Sequence, residues 1–385
     1  MNRLRVGLGT TMLEPGSNGA RLDGIGVYTE ALLRHLPQAG CSVSAYSYPP
    51  VARAGLRAGI RTGMRAVVGQ PMAQSFEAAS LVDLVTPRIN RVHMPADIFH
   101  ATDYRIVRMD CPVVATLHDA LPLRHPQWCN PRLRGPKNWL QKKAAAKADH
   151  VIAVSHFAVA ELVQCFGIDE RRISVVPCGV EASWLEPAEP AAVAATLHAN
   201  GLRSGYFLFV GTLQPRKNIE RLLAAYLGLP ASVRAERQLV IVGALGWRCD
   251  ALARQIMAAR QNGANVVWLR SLTDNARLRH VYAGAGVFVF ASLYEGFGIP
   301  VLEAFASAVP VVVANSSALP EVAHGAALEV DPCSICEIGA AMLALVRDEP
   351  LRARCIAAGR LRAAQLSWRE AARRTAAVYR NVLSH

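Results

Sequence analysis

Long apolar runs are missing from this chain of 385 residues: none approaches the roughly 20 residues that a membrane-spanning helix needs. No signal-peptide core is expected either, because Met1-Asn2-Arg3 leads straight into a strand-like run. The nine cysteines are an odd, scattered set, mostly inside apolar segments, which excludes a fully paired disulfide framework. Reduced, buried thiols in a cytoplasmic protein fit better. Cys333-Ser334-Ile335-Cys336 has no second ligand pair, which argues against a zinc site. Gly7-Leu8-Gly9 is followed by Met12 where a nicotinamide-binding G-x-G-x-x-G fingerprint needs glycine, so that class is excluded as well. There is no helix-turn-helix signature, zinc module or RNP-type aromatic motif, so no nucleic-acid partner is expected.

With 52% hydrophobic and 18% charged residues the chain is compact and globular, long enough for two domains with cores of their own. The formal charge of +13 is unevenly spread. Residues 50–148 hold 15 Lys or Arg against 6 Asp or Glu, a net +9, and the other 286 residues contribute +4. Within that region Arg53, Arg57, Arg61 and Arg65 recur every four residues and stack on one helix face, beside Leu56, Ile60, Met64, Val67 and Val68. A basic amphipathic helix over 51–68 suits an anionic membrane surface, although a stripe of this kind more commonly packs on a core.

Short β-rich runs alternate with helical patterns, which predicts parallel sheets of βαβ units. The first set of runs covers 4–9, 41–47, 97–101, 112–117, 150–155 and 173–177. The second covers 206–211, 238–243, 265–269, 286–291, 310–314 and 327–330. The reading is two doubly wound, Rossmann-like α/β domains, over 1–190 and 200–366, with the Pro- and Ala-rich stretch 186–205 as linker. An amphipathic helix follows at 367–385. Ligands of open α/β sheets sit at the carboxyl ends of strands, so two such domains are expected to face each other across a cleft.

Glu295-Gly296-Phe297-Gly298-Ile299-Pro300-Val301-Leu302-Glu303 lies between two strand-like runs. Pro300 suits the first turn of a helix, and the loop before it supplies backbone N–H groups beside two carboxylates. Backbone N–H groups and a helix N-terminus suit an anion, and carboxylates suit sugar hydroxyls; a nucleotide sugar needs both. Glu303 beside a helix dipole has an ordinary structural explanation, but a carboxylate flanking two glycines does not. Gly211-Thr212-Leu213-Gln214-Pro215-Arg216-Lys217-Asn218 adds two adjacent cations after a strand. Arg216 can fork onto two phosphate oxygens and Lys217 can act as a point charge. Lysine is otherwise scarce, with five in the chain, and Lys217 is the one in the second half.

These residues resemble the E-x7-E and G-x-x-x-x-R-K-N segments of retaining glycosyltransferases of the GT-B type (group 1, family four), and the resemblance runs over nearly the whole chain. It implies that Glu295 meets the donor sugar with the amides of Gly296, Phe297 and Gly298, and that Glu303, beside Leu302, holds the ribose. Arg216 and Lys217 would meet the diphosphate near Gly211, and backbone at Leu272 would meet the base. In the first half, the Gly24-Ile25-Gly26 loop, expected ahead of a helix from 28 to 36, would approach donor phosphates and acceptor. His118 in Thr116-Leu117-His118-Asp119 would approach the reaction centre, with Asp119 orienting its ring. Ser155 in Val154-Ser155-His156-Phe157 reads chiefly as a helix N-cap. In this family the terminal helix returns to the first domain, and that is expected here.

What the resemblance implies is retaining hexosyl transfer, with Arg216, Lys217 and a helix N-terminus stabilising the departing diphosphate. No Asp-x-Asp occurs, so neither metal nor other cofactor is expected. The residues around His118 and Gly24 look most like bacterial mannosyltransferases that use GDP-mannose and extend O-antigen or exopolysaccharide on saccharide or lipid-linked acceptors. Such an enzyme would be cytoplasmic or peripheral on the inner face of the membrane. UDP-sugar or dTDP-rhamnose donors, a nucleotide-sugar epimerase, and a basic nucleic-acid-binding protein are the alternatives.

Overall fold

The structure, a computed structural model, describes residues 3–13, 22–48, 69–85, 91–129, 131, 134–272 and 274–384. The expected basic helix at 51–68 lies outside the described residues, as do Arg21 and Thr273. The chain divides into two units, one of residues 1–178 with 368–385 and the other of 179–367.

The first unit is built on seven strands: β1 (Leu4–Gly9), β2 (Cys41–Ser47), β3 (Gln70–Pro71), β4 (Ile98–Ala101), β5 (Val113–Leu117), β6 (His150–Ala153) and β7 (Ile173–Val175). They order as β3-β2-β1-β4-β5-β6-β7, and every pairing is parallel. β3 has two exposed residues and no hydrophobic pattern, which is why the sequence carries no signal for it. β4 and β5 are buried along their whole length, as strands covered on both faces must be. The terminal helix Trp368–Leu383 belongs to this unit. It buries Trp368, Ala371, Ala372, Thr375, Ala376 and Tyr379, an i, i+3, i+4 stripe.

The second unit carries β8 (Tyr206–Val210), β9 (Leu239–Val242), β10 (Val266–Leu269), β11 (Ala285–Phe290), β12 (Val311–Ala314) and β13 (Leu328–Val330). Their order, β10-β9-β8-β11-β12-β13, is all-parallel and reverses direction between β8 and β11. Both sheets are therefore doubly wound and Rossmann-like, with switch points between β1 and β4 and between β8 and β11.

Two local expectations are corrected. Residues 190–199 of the expected linker form a helix, Pro190–Ala199, inside the second unit. Glu189 accepts from the N–H groups of Ala191 and Ala192, and Pro190 occupies the first turn, so the stretch carries its own start signals. The division of the chain falls earlier, between Cys178 and Gly179. In the first unit the helix starts at Gly24 and runs to His35, because Asp23 caps it by accepting from the Gly26 N–H at 2.8 Å. Gly24 and Gly26 thus lie in the first helical turn and not in a loop ahead of it.

Candidate active site

β8 and β11 flank the switch point of the second sheet, and their carboxyl ends deliver the two motifs to one place. Past β8, Pro215–Lys217 forms a short 3-10 turn that ends at Asn218, with φ 59°. Asparagine is one of the few side chains that accept this left-handed backbone. The Asn218 side-chain amide donates to Ala291 O at 2.9 Å and to Pro332 O at 2.7 Å, and Leu293 N donates to Arg216 O at 2.8 Å. The Arg-Lys turn is thereby laced to the loop after β11. Both cations sit in this turn, ahead of the helix Ile219–Leu227.

Glu295 lies in the loop after β11 and is buried. Arg216 Nη1 donates to Glu295 Oε2 and Lys217 Nζ to Oε1, each at 2.6 Å. Arg216 Nη1 also donates to Tyr294 O at 2.9 Å, and Lys217 Nζ stands 4.8 Å from the centroid of the Phe290 ring. Burial pushes the Glu295 carboxyl upward, but the charges and hydrogen bonds of Arg216 and Lys217 outweigh it and hold it at about 2. The carboxylate is ionised, and the two cations expected to face a diphosphate are joined to it in a compact triad. A buried charge of this kind needs such partners to be tolerated. The Glu295 N–H donates to Ser317 Oγ at 3.2 Å, which pins the backbone of the loop.

The helix Ile299–Ala306 opens at Gly298, with Pro300 in its first turn. Gly298 has φ 114°, and a Cβ there would lie 2.8 Å from Leu319 Cδ2, so this corner requires glycine. Gly296 and Phe297 are buried in the same loop. The Leu302 side chain is wholly buried, so it reaches a ligand through its backbone or not at all. Glu303 lies beyond the first turn, which removes the helix-dipole explanation for it. Its Oε2 accepts from the Tyr282 hydroxyl at 2.9 Å, and the Tyr282 ring meets Trp184 edge-on at 5.3 Å. Tyr282 escaped the sequence reading because nothing in its helix, Asn275–Ala283, marks one aromatic as a carboxylate partner.

Gly211 N donates to Val242 O at 2.9 Å, and the loops after β8 and β9 run so close that a Cβ on Gly243 would lie 2.0 Å from Gly211 O. Gly243 has φ 150° and was not singled out from the sequence, although its place directly after a strand was the available signal. Leu272 is half-buried in the loop after β10.

In the first unit His118 follows β5, partly exposed. Its Nε2 lies 3.1 Å from Thr102 O. A carbonyl only accepts, so this nitrogen carries the proton and Nδ1 holds a lone pair. Burial lowers the His118 pKa, which keeps the ring neutral. The Asp119 carboxylate instead accepts from Leu121 N at 3.0 Å, so Thr102 rather than Asp119 sets the tautomer. Ser155 accepts from Ala158 N at 3.1 Å and is the N-cap of His156–Glu161.

A family model described as "Glycosyl transferases group 1" matches residues 198–362, and one described as "Glycosyltransferase Family 4" matches 22–184. The chain is 32% identical over 289 residues to the O-antigen chain mannosyltransferase B of Escherichia coli, covering 74% of each. It belongs to the group 1 glycosyltransferases. The fold of this glycosyltransferase agrees. Sucrose-phosphate synthase from Thermosynechococcus elongatus superposes with a TM-score of 0.73 at 21% identity, covering 99% of this chain and 100% of that one. HepE of Anabaena, solved with UDP and glucose, gives 0.73 at 16% identity, covering 98% and 100%. Both units are thus those of a GT-B enzyme. Among the described residues of this glycosyltransferase, no helix is long and apolar enough to cross a membrane.

Proposed function

We propose that this glycosyltransferase moves a hexose, mannose from GDP-mannose, with retention of configuration onto a saccharide or lipid-linked saccharide during surface polysaccharide synthesis. The observation that carries the reading is the triad of Glu295, Arg216 and Lys217 at the carboxyl ends of β8 and β11, where an open parallel sheet receives its ligand. The relative named as an O-antigen chain mannosyltransferase supports the choice of sugar and pathway.

In this reading Arg216 and Lys217 take up the charge that develops on the leaving diphosphate, a pre-organised electrostatic role. The bond from the anomeric carbon to the phosphate oxygen breaks, the acceptor oxygen attacks the same face, and its proton passes to the departing phosphate. Glu295 addresses the transferred sugar, Glu303 the ribose, and neutral His118 offers Nδ1 to a hydroxyl. The N–H groups of Gly296, Phe297 and Gly298, with backbone at Gly211, Leu302 and Leu272 and the turn at Gly24 and Gly26, complete the donor contacts. No metal or other cofactor takes part, and residues 51–68 address an anionic membrane surface at the inner face of the cytoplasmic membrane.

A thermal-shift screen of GDP-mannose, UDP-glucose and dTDP-rhamnose tests the donor, since a ligand of the native state raises the melting temperature. GDP-mannose is expected to stabilise the protein, and Glu303→Ala and Lys217→Ala are expected to abolish the shift. Stabilisation by a different donor alone would replace mannose in this reading.

A further inference from the structure

The first unit buries a polar chain that the transfer reaction has not used. His100, in β4, is wholly out of water and has both ring nitrogens engaged. Nδ1 lies 2.6 Å from the Tyr379 hydroxyl, on the terminal helix, and Nε2 lies 2.8 Å from Thr116 Oγ1. Thr116 Oγ1 in turn lies 2.8 Å from the Tyr28 hydroxyl. Tyr28, His100, Thr116 and Tyr379 are all fully buried. Burial holds the His100 imidazole neutral, its pKa down at about 3. A buried polar network with every member satisfied is rigid, because each alternative arrangement strands a donor or an acceptor away from water.

This chain ends on the candidate reaction centre. The Tyr28 ring meets the His118 ring edge-on, with centroids 4.9 Å apart and planes at 88°. The same ring meets Trp368, the first residue of the terminal helix, at 5.9 Å and 69°. Among the described residues His118 makes one hydrogen bond, at Nε2, and a single bond leaves a ring able to rock about it. The Tyr28 ring supplies the second restraint. A phenylalanine would fill the same volume, but the hydroxyl fixes how deep the ring sits and which way it faces.

We propose that Tyr28 is a positioning residue for His118, held in place by the terminal helix through Tyr379, His100 and Thr116. The proposal rests on the role given to His118 above. It assigns the helix at the end of the chain a task beyond covering the core, namely aligning a side chain 250 or so residues earlier in the sequence.

Kinetics and nucleotide binding on the full chain test it, with Tyr28→Leu, Tyr28→Phe, Tyr379→Phe, His118→Ala and the double variant Tyr28→Leu/His118→Ala. Tyr28→Leu is expected to lower kcat roughly tenfold, and the two phenylalanine variants about threefold, with nucleotide affinity within about twofold of the parent. In the His118→Ala background, Tyr28→Leu is expected to cost less than about a further twofold, because residues acting as one unit are not additive. Equal loss with and without His118 would overturn the proposal, since a role in stability alone is indifferent to that ring. Should Tyr28→Leu not fold, Tyr379→Phe takes its place in the same comparison. Full activity of His118→Ala would sink the role of His118 in the reaction. The His118 imidazole resonance separates the two failures: positioning requires it to shift in Tyr28→Phe and Tyr379→Phe whatever the activity, and an unmoved resonance in both refutes positioning.

Discussion

Replacing Glu295 by glutamine removes the negative charge between two cations that approach it to 2.6 Å, with side-chain exposures of 17% for Arg216, 11% for Lys217 and 8% for Glu295. Burial opposes the charge, but Arg216 and Lys217 bring the carboxyl down from 4.5 to about 2 in the folded protein. A depressed pKa of that size corresponds to about 3 kcal/mol of stability at neutral pH, and removing one partner of a buried ion pair generally costs about 3–5 kcal/mol. At roughly 2–4 °C per kcal/mol for a unit of this size, Glu295→Gln is expected to melt about 6–20 °C below the parent at pH 7. The sign of the pH dependence follows. The stabilisation is complete above the unfolded value of 4.5 and is lost as pH falls through about 2, so the gap between parent and variant closes on acidification across that window.

The same variant separates two roles. With the carboxylate gone, Arg216 and Lys217 lose an internal competitor for anions, so GDP is expected to raise the melting temperature of Glu295→Gln at least as much as that of the parent. Sugar transfer is expected to fall steeply. Differential scanning fluorimetry from pH 2.5 to 7, with and without GDP, reads all of this. A variant as stable as the parent at pH 7 would refute the energetic argument. Loss of GDP binding as large as in Glu303→Ala would refute the division of labour between the two carboxylates.

Gly298→Ala is expected to cost about 1–3 kcal/mol in urea unfolding, because φ 114° strains any side chain and the new methyl would stand 2.8 Å from Leu319 Cδ2. Unchanged stability would show that the corner relaxes. Tyr282→Phe withdraws the 2.9 Å hydrogen bond from Glu303 and is expected to weaken nucleotide binding about tenfold by calorimetry, the scale of a hydrogen bond to a charged group. Transfer is expected to persist in excess EDTA, and strict magnesium dependence would contradict the assignment of diphosphate charge to Arg216 and Lys217. Anionic liposomes are expected to co-sediment the protein in low salt, and substitution of Arg53, Arg57, Arg61 and Arg65 by glutamine to abolish this; equal recovery with neutral liposomes would refute the membrane role of 51–68.

Much of the architecture was legible because buried parallel strands are written as unbroken apolar runs. Tyr206–Val210, Leu239–Val242 and Val311–Ala314 are buried at every position, and no amphipathic alternative competes with them. β3 was not legible, since two exposed residues held by pairing to β2 need no composition of their own. The helix at 190–199 and the early start at Gly24 depended on caps, Glu189 with two hydrogen bonds and Asp23 with one, which fix where a helix begins. The candidate site was legible in its parts. The Arg-Lys pair, the two-carboxylate segment and His118 each follow a strand-like run, where parallel sheets present their ligands.

Alone, the amino-acid sequence determined which residues carry charge and where the buried strands run, because these are properties of a few neighbouring residues. Tertiary structure decided who meets whom. Glu295 finds Lys217 and Arg216 at separations of 78 and 79 residues, Tyr282 finds Glu303 across 21, and His100 finds Tyr379 across 279. The first encounter is fixed by strand order and by the reversal of direction at the switch point, which bring the ends of β8 and β11 side by side, and the other two are made from helices. An isolated carboxylate in the sequence reads as free to bind a sugar. Folded between two cations it is an ion-pair partner first, because a charge out of water must be matched within the protein.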